Sequence, residues 1–320
     1  DEYLRRDKNA HVDLNVLGSR GMLMIGGEVL SSADFDIGAL AKKVYQEIGY
    51  TDDMEVFVNI EESSEEMRRV KTGVMDTVVV NGYATNETRE RLPRAVVFAH
   101  SLARRLDDLR KTDPAFSWLR PDGKVQIVMN GSRVQAVTVL AGHHLNMKER
   151  DVQTAILERV VLPFVGEEGI QIYINPIGSF TIVGFRADSG ASGRMTNVDT
   201  YGGLIPHGDK AFSGKDPFHA ERAGAYLART AARSLVDQGL VSSALINVVY
   251  TMGHAEPIYL NAVGTGEKTR GAKLDLTALI KKDFDFRPEA IVERLNLRQP
   301  FYQRSALYGC FGREGFPWEG

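Results

Sequence analysis

The chain has 320 residues, 43% of them hydrophobic, which is material for buried cores in about two or three domains. A formal charge of -3 and a pI near 6.2 leave no global positive field to hold nucleic acid or an anionic membrane, so any anion site must be local. No apolar run of about eighteen residues occurs, and the single cysteine, Cys310, excludes an intrachain disulfide framework and fits a reducing compartment, the cytoplasm by default.

The first residues, DEYLRRDKNA, lack the apolar core of a signal peptide and read as the end of an amphipathic helix that starts upstream. Gly21 to Val29 predicts a buried strand interrupted by Gly26 and Gly27, where a ligand or another backbone can approach closely. Ile37, Leu40, Ala41, Val44, Tyr45 and Ile48 recur at helical spacing, with Asp34 or Asp36 as cap and Gly49 as stop. Val56 to Ile60 is a short strand. It leads into the charged segment Glu61 to Gly73, a surface loop of the kind that either connects elements or covers a site.

Strand character resumes at Val78 to Val80, and Val97 to Leu109 gives a helix that two prolines and a glycine then break. The strands Lys124 to Met129 and Val134 to Leu140 flank Asn130-Gly131, a strong hairpin signal. Helix Lys148 to Val161, strand Gly169 to Asn175 and the alanine-rich helix Phe218 to Gly239 follow. Strands Ala244 to Met252 and Pro257 to Val263, then helices Leu276 to Lys282 and Pro288 to Leu295, complete the pass. Hairpins mixed with helices argue for an α+β fold and against strict βαβ alternation, and no sequence repeat is visible.

Asp199 to Pro217, DTYGGLIPHGDKAFSGKDP, stands out chemically. Gly202, Gly203, Gly208 and Gly214 allow close backbone approach, while Lys210 and Lys215 supply charges for anionic oxygens; the plain alternative is a surface turn. DSGASGR, Asp188 to Arg194, is a second glycine-containing loop with an arginine suited to phosphate. Gly264 to Thr269 lacks the P-loop spacing, and no GxGxxG after a strand, GxSxG, HExxH or CxxC occurs. Adjacent His143 and His144 would point to opposite faces of a strand and make a poor chelate, so they receive no role. Charged residues in apolar or glycine-rich surroundings remain: Glu28, Asp76, Asp122, Lys124, Asp188, Arg194, Lys215 and Glu221.

Seven ordered segments resemble the S-adenosylmethionine synthetase (methionine adenosyltransferase) family across nearly the whole chain. They are GGE at Gly26 to Glu28, GYATNET at Gly82 to Thr88, WLRPDGK at Trp118 to Lys124, INP at Ile174 to Pro176, VDTYGG at Val198 to Gly203, AFSGKDP at Ala211 to Pro217 and YGCFGREGFPWE at Tyr308 to Glu319. The resemblance implies three similar α+β domains with mixed or antiparallel sheets around a pseudo-three-fold, and sheets that pack in a homodimer with sites between subunits, or in a dimer of dimers. It divides the chain into residues 1–72, an incomplete N-terminal domain, 73–181, a central domain, and 182–320, a C-terminal domain, with discontinuous segments in each. The implied reaction is attack of the L-methionine sulfur on C5′ of ATP, release of triphosphate and its hydrolysis, with two magnesium ions and potassium as the candidate monovalent ion. No nucleic acid or membrane partner is implied.

Residue by residue, Lys124, Arg194 and Lys215 match the family's polyphosphate-binding, catalytic cations, Asp122 a ribose contact and Phe180 the aromatic that stacks on adenine. Glu28 and Asp188 match carboxylates that hold the methionine amino group, and Asp76, in the family's DQG segment, and Met252 are further site positions. Glu221 takes the place of a metal-associated aspartate. Departures are specific. Met195 stands where a second cation is usual, and Gly208, Asp209 and Lys210 replace a glycine triplet, Lys210 restoring a charge. His219 replaces a lysine near the amino acid, Ser63 a methionine-contacting glutamine, and Asn15 the potassium-site glutamate; the HPDK segment would lie upstream of Asp1. Two alternatives stay open: a paralogue that adenosylates another amino acid or thioether, and a non-catalytic partner of an active synthetase.

Overall fold

The computed structural model describes residues 1–65, 73–165, 169–266 and 274–320. In chain order the elements are α1 (Glu2–Arg6), β1 (His11–Ser19), β2 (Met22–Leu30), α2 (Ile37–Ile48), β3 (Glu55–Glu61), β4 (Val78–Thr85), α3 (Arg94–Thr112), β5 (Leu119–Asn130), β6 (Arg133–His143), α4 (Glu149–Ile156) and β7 (Gln171–Ile174). There follow β8 (Gly190–Ala191), α5 (Thr196–Asp199), α6 (Ala220–Asp237), β9 (Ser243–Tyr250), β10 (Tyr259–Thr265), α7 (Leu276–Asp283), α8 (Pro288–Arg294) and α9 (Tyr302–Ser305). Among the described residues no helix is long and apolar enough to cross a membrane. The fold is α+β, as the hairpin-and-helix pattern indicates.

Among the described residues the strands form three sheets, in the orders β3-β2-β1-β8, β10-β9-β4 and β5-β6-β7. The first and third share one path: an antiparallel hairpin, a helix, and a strand laid parallel to the hairpin's second strand. In the first, β1 is a strand that the sequence pass left out. Its signal is Val12, Leu14 and Val16 alternating with polar residues, and it closes onto β2 through Arg20 and Gly21, both left-handed at φ 50° and 84°, as a two-residue hairpin turn requires. The cap of α2 is Asp36, whose carboxylate accepts from the Ala39 amide at 2.8 Å, and Gly49 ends the helix at φ 113°.

In the third sheet β5 begins five residues before the expected Lys124. Pairing skips from Leu119 opposite His143 to Gly123 opposite Ala141, so Pro121 and Asp122 form an irregularity within the strand and do not precede it. The Asn130-Gly131 hairpin forms as expected. Helix α4 continues as a wider π turn over Leu157–Val161, giving the expected extent in two geometries.

The middle sheet packs on α6 through Ala244, Ile246, Val248 and Tyr250, alternate residues of β9. Gly82 in β4 has to be glycine: a Cβ there would lie 2.0 Å from the Ala228 carbonyl carbon of α6. Arg229, the next residue of α6, is fully buried. Its guanidinium makes a two-point contact with Glu319 at 3.0 and 2.9 Å and donates to the carbonyls of Tyr83, Glu90 and Arg91. The C-terminal segment is thereby tied to the helix, and Trp318 stacks on Tyr226 at 3.7 Å.

Candidate active site

Strand β1 has only two β8 residues on its outer edge, and the rest of that edge receives the two glycine-containing loops. Ser192 donates its amide to Val16 O at 2.9 Å and accepts from the Val16 amide at its hydroxyl. Leu14 donates to Gly214 O, Asp216 donates to Val12 O, and the Val12 amide returns to the Asp216 carboxylate at 2.7 Å. The loops therefore run along one strand. Gly214, at φ 87°, is required because a Cβ would fall 1.8 Å from Leu14 O. A Cβ on Gly193 would meet Ala211 Cβ at 2.4 Å, so the loops touch each other as well.

The far end of the second loop reaches the middle sheet. Gly208 bridges to Val80, the Asn81 amide donates to His207 O, and Asp209 and Val79 exchange hydrogen bonds, the Asp209 carboxylate accepting from Val79 N at 3.1 Å. Residues 207–216 thus span from the edge of β4 to the edge of β1, placing Lys210 and Lys215 between two sheets.

At the β1 end, Lys215 Nζ lies 2.7 Å from Glu221 Oε1 and 3.2 Å from Asp13 Oδ2. Asp13 faces Glu28 directly across the β1–β2 ladder, and Glu28 in turn faces Glu61 on β3. Buried His219 sits between carboxylates, its Nδ1 3.5 Å from Glu221 and its Nε2 3.5 Å from Asp216. Burial would push the Glu221 carboxyl up, but His219 and Lys215 outweigh it and hold the pKa at about 2. Burial likewise opposes the charges of His219 and Lys215, and their carboxylate neighbours more than compensate, so both hold their protons more tightly than in water.

At the β4 end, Lys210 Nζ pairs with Asp76 Oδ2 at 3.0 Å, and the hydrogen bond it donates to that carboxylate raises the lysine pKa. Asp76 also accepts from the Thr77 amide, and Thr77 Oγ1 accepts from the Met252 amide. On the first loop Arg194 donates to Ser189 O at 2.7 Å, while the Asp188 carboxylate caps the Ser189 amide. Asn15 lies on β1 two residues from Asp13, opposite Gly26, and buried Ser63 follows β3 just beyond Glu61.

The remaining candidates sit on the third sheet. Asp122 accepts from the Gly184 amide at 2.9 Å and from the Tyr50 hydroxyl, which ties β5 to the end of α2. Lys124 is exposed on β5, and half-buried Phe180 is held against the end of β6 by His143. The sequence reading missed Asp13, Asp216 and His143. Asp13 was legible only as an acidic residue in an alternating strand, while Asp216 lay inside AFSGKDP without a role of its own. Residues 66–72 of the expected loop, and 267–269 of GTGEKT, lie outside the described residues. A cavity of about 870 Å³ beside the C-terminal segment, lined by Arg89, His100, Arg104 and Arg313 among others, contains none of these candidates.

Among the described residues no three His, Cys, Asp or Glu side chains converge tightly enough to hold a metal by themselves. Glu221 Oε1 is nevertheless buried without an aligned hydrogen-bond donor, its contacts to Lys215 and His219 being ion pairs by distance. A hard carboxylate oxygen with spare capacity suits magnesium, which takes one or two protein carboxylates and completes its shell with water and substrate phosphate.

Residues 71–180 match the family model described as S-adenosylmethionine synthetase, central domain, and residues 182–320 the one described as its C-terminal domain. A Petrotoga mobilis protein named S-adenosylmethionine synthase is 37% identical over 351 aligned positions, covering 97% of this chain and 86% of its own. A Sorangium cellulosum protein of the same name is 37% identical over 347 positions, covering 100% of this chain and 81% of its own.

Proposed function

The chain belongs to the S-adenosylmethionine synthetase family, and from that membership we propose that it is a methionine adenosyltransferase, forming S-adenosylmethionine from ATP and L-methionine. The observation that carries the reading is that Arg194, Lys210 and Lys215 lie on two touching glycine-containing loops, the second of which runs from the edge of β4 to the edge of β1. A thioether has no proton to lose, so the sulfur needs no general base; the barrier lies in the charge of the departing triphosphate. Lys215, Arg194 and Lys124 stabilise that charge, with Lys210 as a further phosphate contact. Asp122 holds the ribose and Phe180 stacks on adenine. Glu28 and Asp188 bind the methionine ammonium, Ser63 and His219 border the amino acid, and Asp76 and Met252 close the β4 side.

Glu221 would hold magnesium together with substrate phosphate, which would supply further charge neutralisation. Asn15 offers an amide oxygen to a monovalent ion such as potassium. Product triphosphate remains among the same cations and is hydrolysed there to phosphate and diphosphate. The enzyme works as a cytoplasmic homodimer. In support, Leu17, Met24 and Phe57 align across the first sheet at 48%, 51% and 51% exposure, an apolar face that a second copy would cover.

Incubation with ATP, L-methionine and magnesium is expected to yield S-adenosylmethionine with phosphate and diphosphate; absence of any adenosyl product overturns the proposal. His219, bound to two carboxylates in place of a free cation, favours one second reading, a paralogue acting on a different thioether. Competition among methionine analogues decides it, and preference for methionine removes the paralogue.

A further inference from the structure

Beyond β7 the edge of β6 goes on being paired, but by side chains. The parallel ladder ends at Val139 opposite Ile174, and the Asn175 amide then donates to Val139 O at 3.0 Å. Asn175, at φ 42° and 2% exposed, folds its side chain back so that Oδ1 accepts from the Ala141 amide at 2.9 Å and Nδ2 donates to Ala141 O at 3.1 Å. The last residue of the strand, His143, takes Phe180 in the same manner. Its amide donates to Phe180 O at 2.8 Å, and its ring Nε2 accepts from the Phe180 amide at 3.1 Å.

The ring is 1% exposed and its other nitrogen, Nδ1, is 3.0 Å from His144 O. A backbone amide can only donate and a carbonyl can only accept. The tautomer is therefore determined: Nδ1 carries the proton and Nε2 the lone pair aimed at Phe180. The amide and the carbonyl of Phe180 are both clamped by one residue, so the direction in which its side chain leaves the backbone is set by His143.

We infer that His143 is a positioning residue for the nucleoside pocket: by accepting from the Phe180 amide it fixes the ring against which adenine stacks. The inference rests on the proposed role of Phe180. Beyond the strand ladder, the hydrogen bonds of His143 go to Phe180 and His144 and to none of the residues proposed for the phosphates or the amino acid, so its effect is confined to the base. Losing the acceptor leaves a half-buried amide unpaired and the segment carrying the aromatic free to shift, an effect of about tenfold on nucleoside affinity.

The test compares His143→Leu, His143→Gln and Phe180→Ala by titration calorimetry with ATP and, separately, with tripolyphosphate, magnesium being present throughout. His143→Leu is expected to weaken ATP about tenfold and leave tripolyphosphate unchanged, while His143→Gln, which keeps an acceptor, stays within about twofold of the parent. If His143→Leu fails to fold, His143→Phe, a flat ring without nitrogen, carries the same expectation. Equal losses for ATP and tripolyphosphate, or ATP affinity unchanged in the leucine variant, overturn the inference while Phe180→Ala still weakens ATP. Unchanged ATP affinity in Phe180→Ala overturns the stacking role itself, and the inference with it.

Discussion

Replacing Lys215 by methionine separates the ion pairs that hold its ammonium group from its proposed role against the leaving triphosphate. The side chain is 13% exposed and lies 2.7 Å from Glu221, itself 2% exposed, and 3.2 Å from Asp13, which is 39% exposed. Removing one partner of a buried pair costs about 3–5 kcal/mol because the other charge is left uncompensated. The Asp13 share is screened by solvent and Glu221 keeps His219 at 3.5 Å, so the loss is set by Glu221 and lies at the low end, about 3 kcal/mol. Loss of one preorganised charge against the leaving triphosphate adds a fall in turnover of about a hundredfold or more.

Urea unfolding reads the first effect and product formation the second. Adding Glu221→Gln to the methionine variant removes the stranded charge, so stability is expected to recover by most of its loss while turnover does not. A single variant that retains turnover within about twofold, whatever its stability, refutes the assignment of Lys215 to the triphosphate, since one lost donor should cost far more. Recovery of turnover in the double variant refutes it equally, because the effect would then have been structural.

Arg229→Met breaks a buried contact to Glu319 and strands three carbonyls, so a loss of about 3–5 kcal/mol is expected in urea unfolding; a loss below about 1 kcal/mol contradicts the packing described. Gly214→Ala forces a Cβ to within 1.8 Å of Leu14 O at φ 87° and displaces the Lys215 loop from β1, so kcat/KM for ATP should fall at least about tenfold; kinetics equal to the parent's would show that the loop does not need this seat. Glu221 has its pKa lowered from 4.5 to about 2, so its stabilising contribution is complete above pH 4.5 and is lost as pH falls towards 2. That contribution is about 3 kcal/mol, and Glu221→Gln should flatten the acid limb in that window, while an unaltered limb assigns it to other carboxylates.

Local signals in the sequence located much of the architecture. Asp36, the apolar stripe and Gly49 define α2 because capping, periodicity and a left-handed stop all act within a few residues. Asn130-Gly131 marks its hairpin for the same reason. Strand β1 alternates cleanly over only three apolar positions, too few to stand out beside the polar residues that face the site. Pro121 and Gly123 read as a break because the local preference is real; tertiary pairing with β6 carries the strand through it.

The site divides along the same line. Lys215 and Glu221 lie six residues apart within one motif-bearing stretch, so their chemistry was legible together. Asp13 reaches Lys215 from 202 residues away and His143 reaches Phe180 from 37, distances over which spacing carries no information. Adjacency gives the His143-His144 pair no signal of its own, because the hydrogen-bonding role of His143 depends on where a distant loop returns.

The proposed carbon–oxygen cleavage at C5′ would send the bridging oxygen away with the triphosphate that Lys215 and Arg194 are proposed to hold. It is tested most directly with ATP carrying oxygen-18 at the 5′ bridging position, L-methionine and magnesium, with products resolved by mass spectrometry. The label is expected entirely in the phosphate products, with unlabelled S-adenosylmethionine. Label retained on an adenosine product, or ATP consumed without any sulfonium formed, contradicts the account.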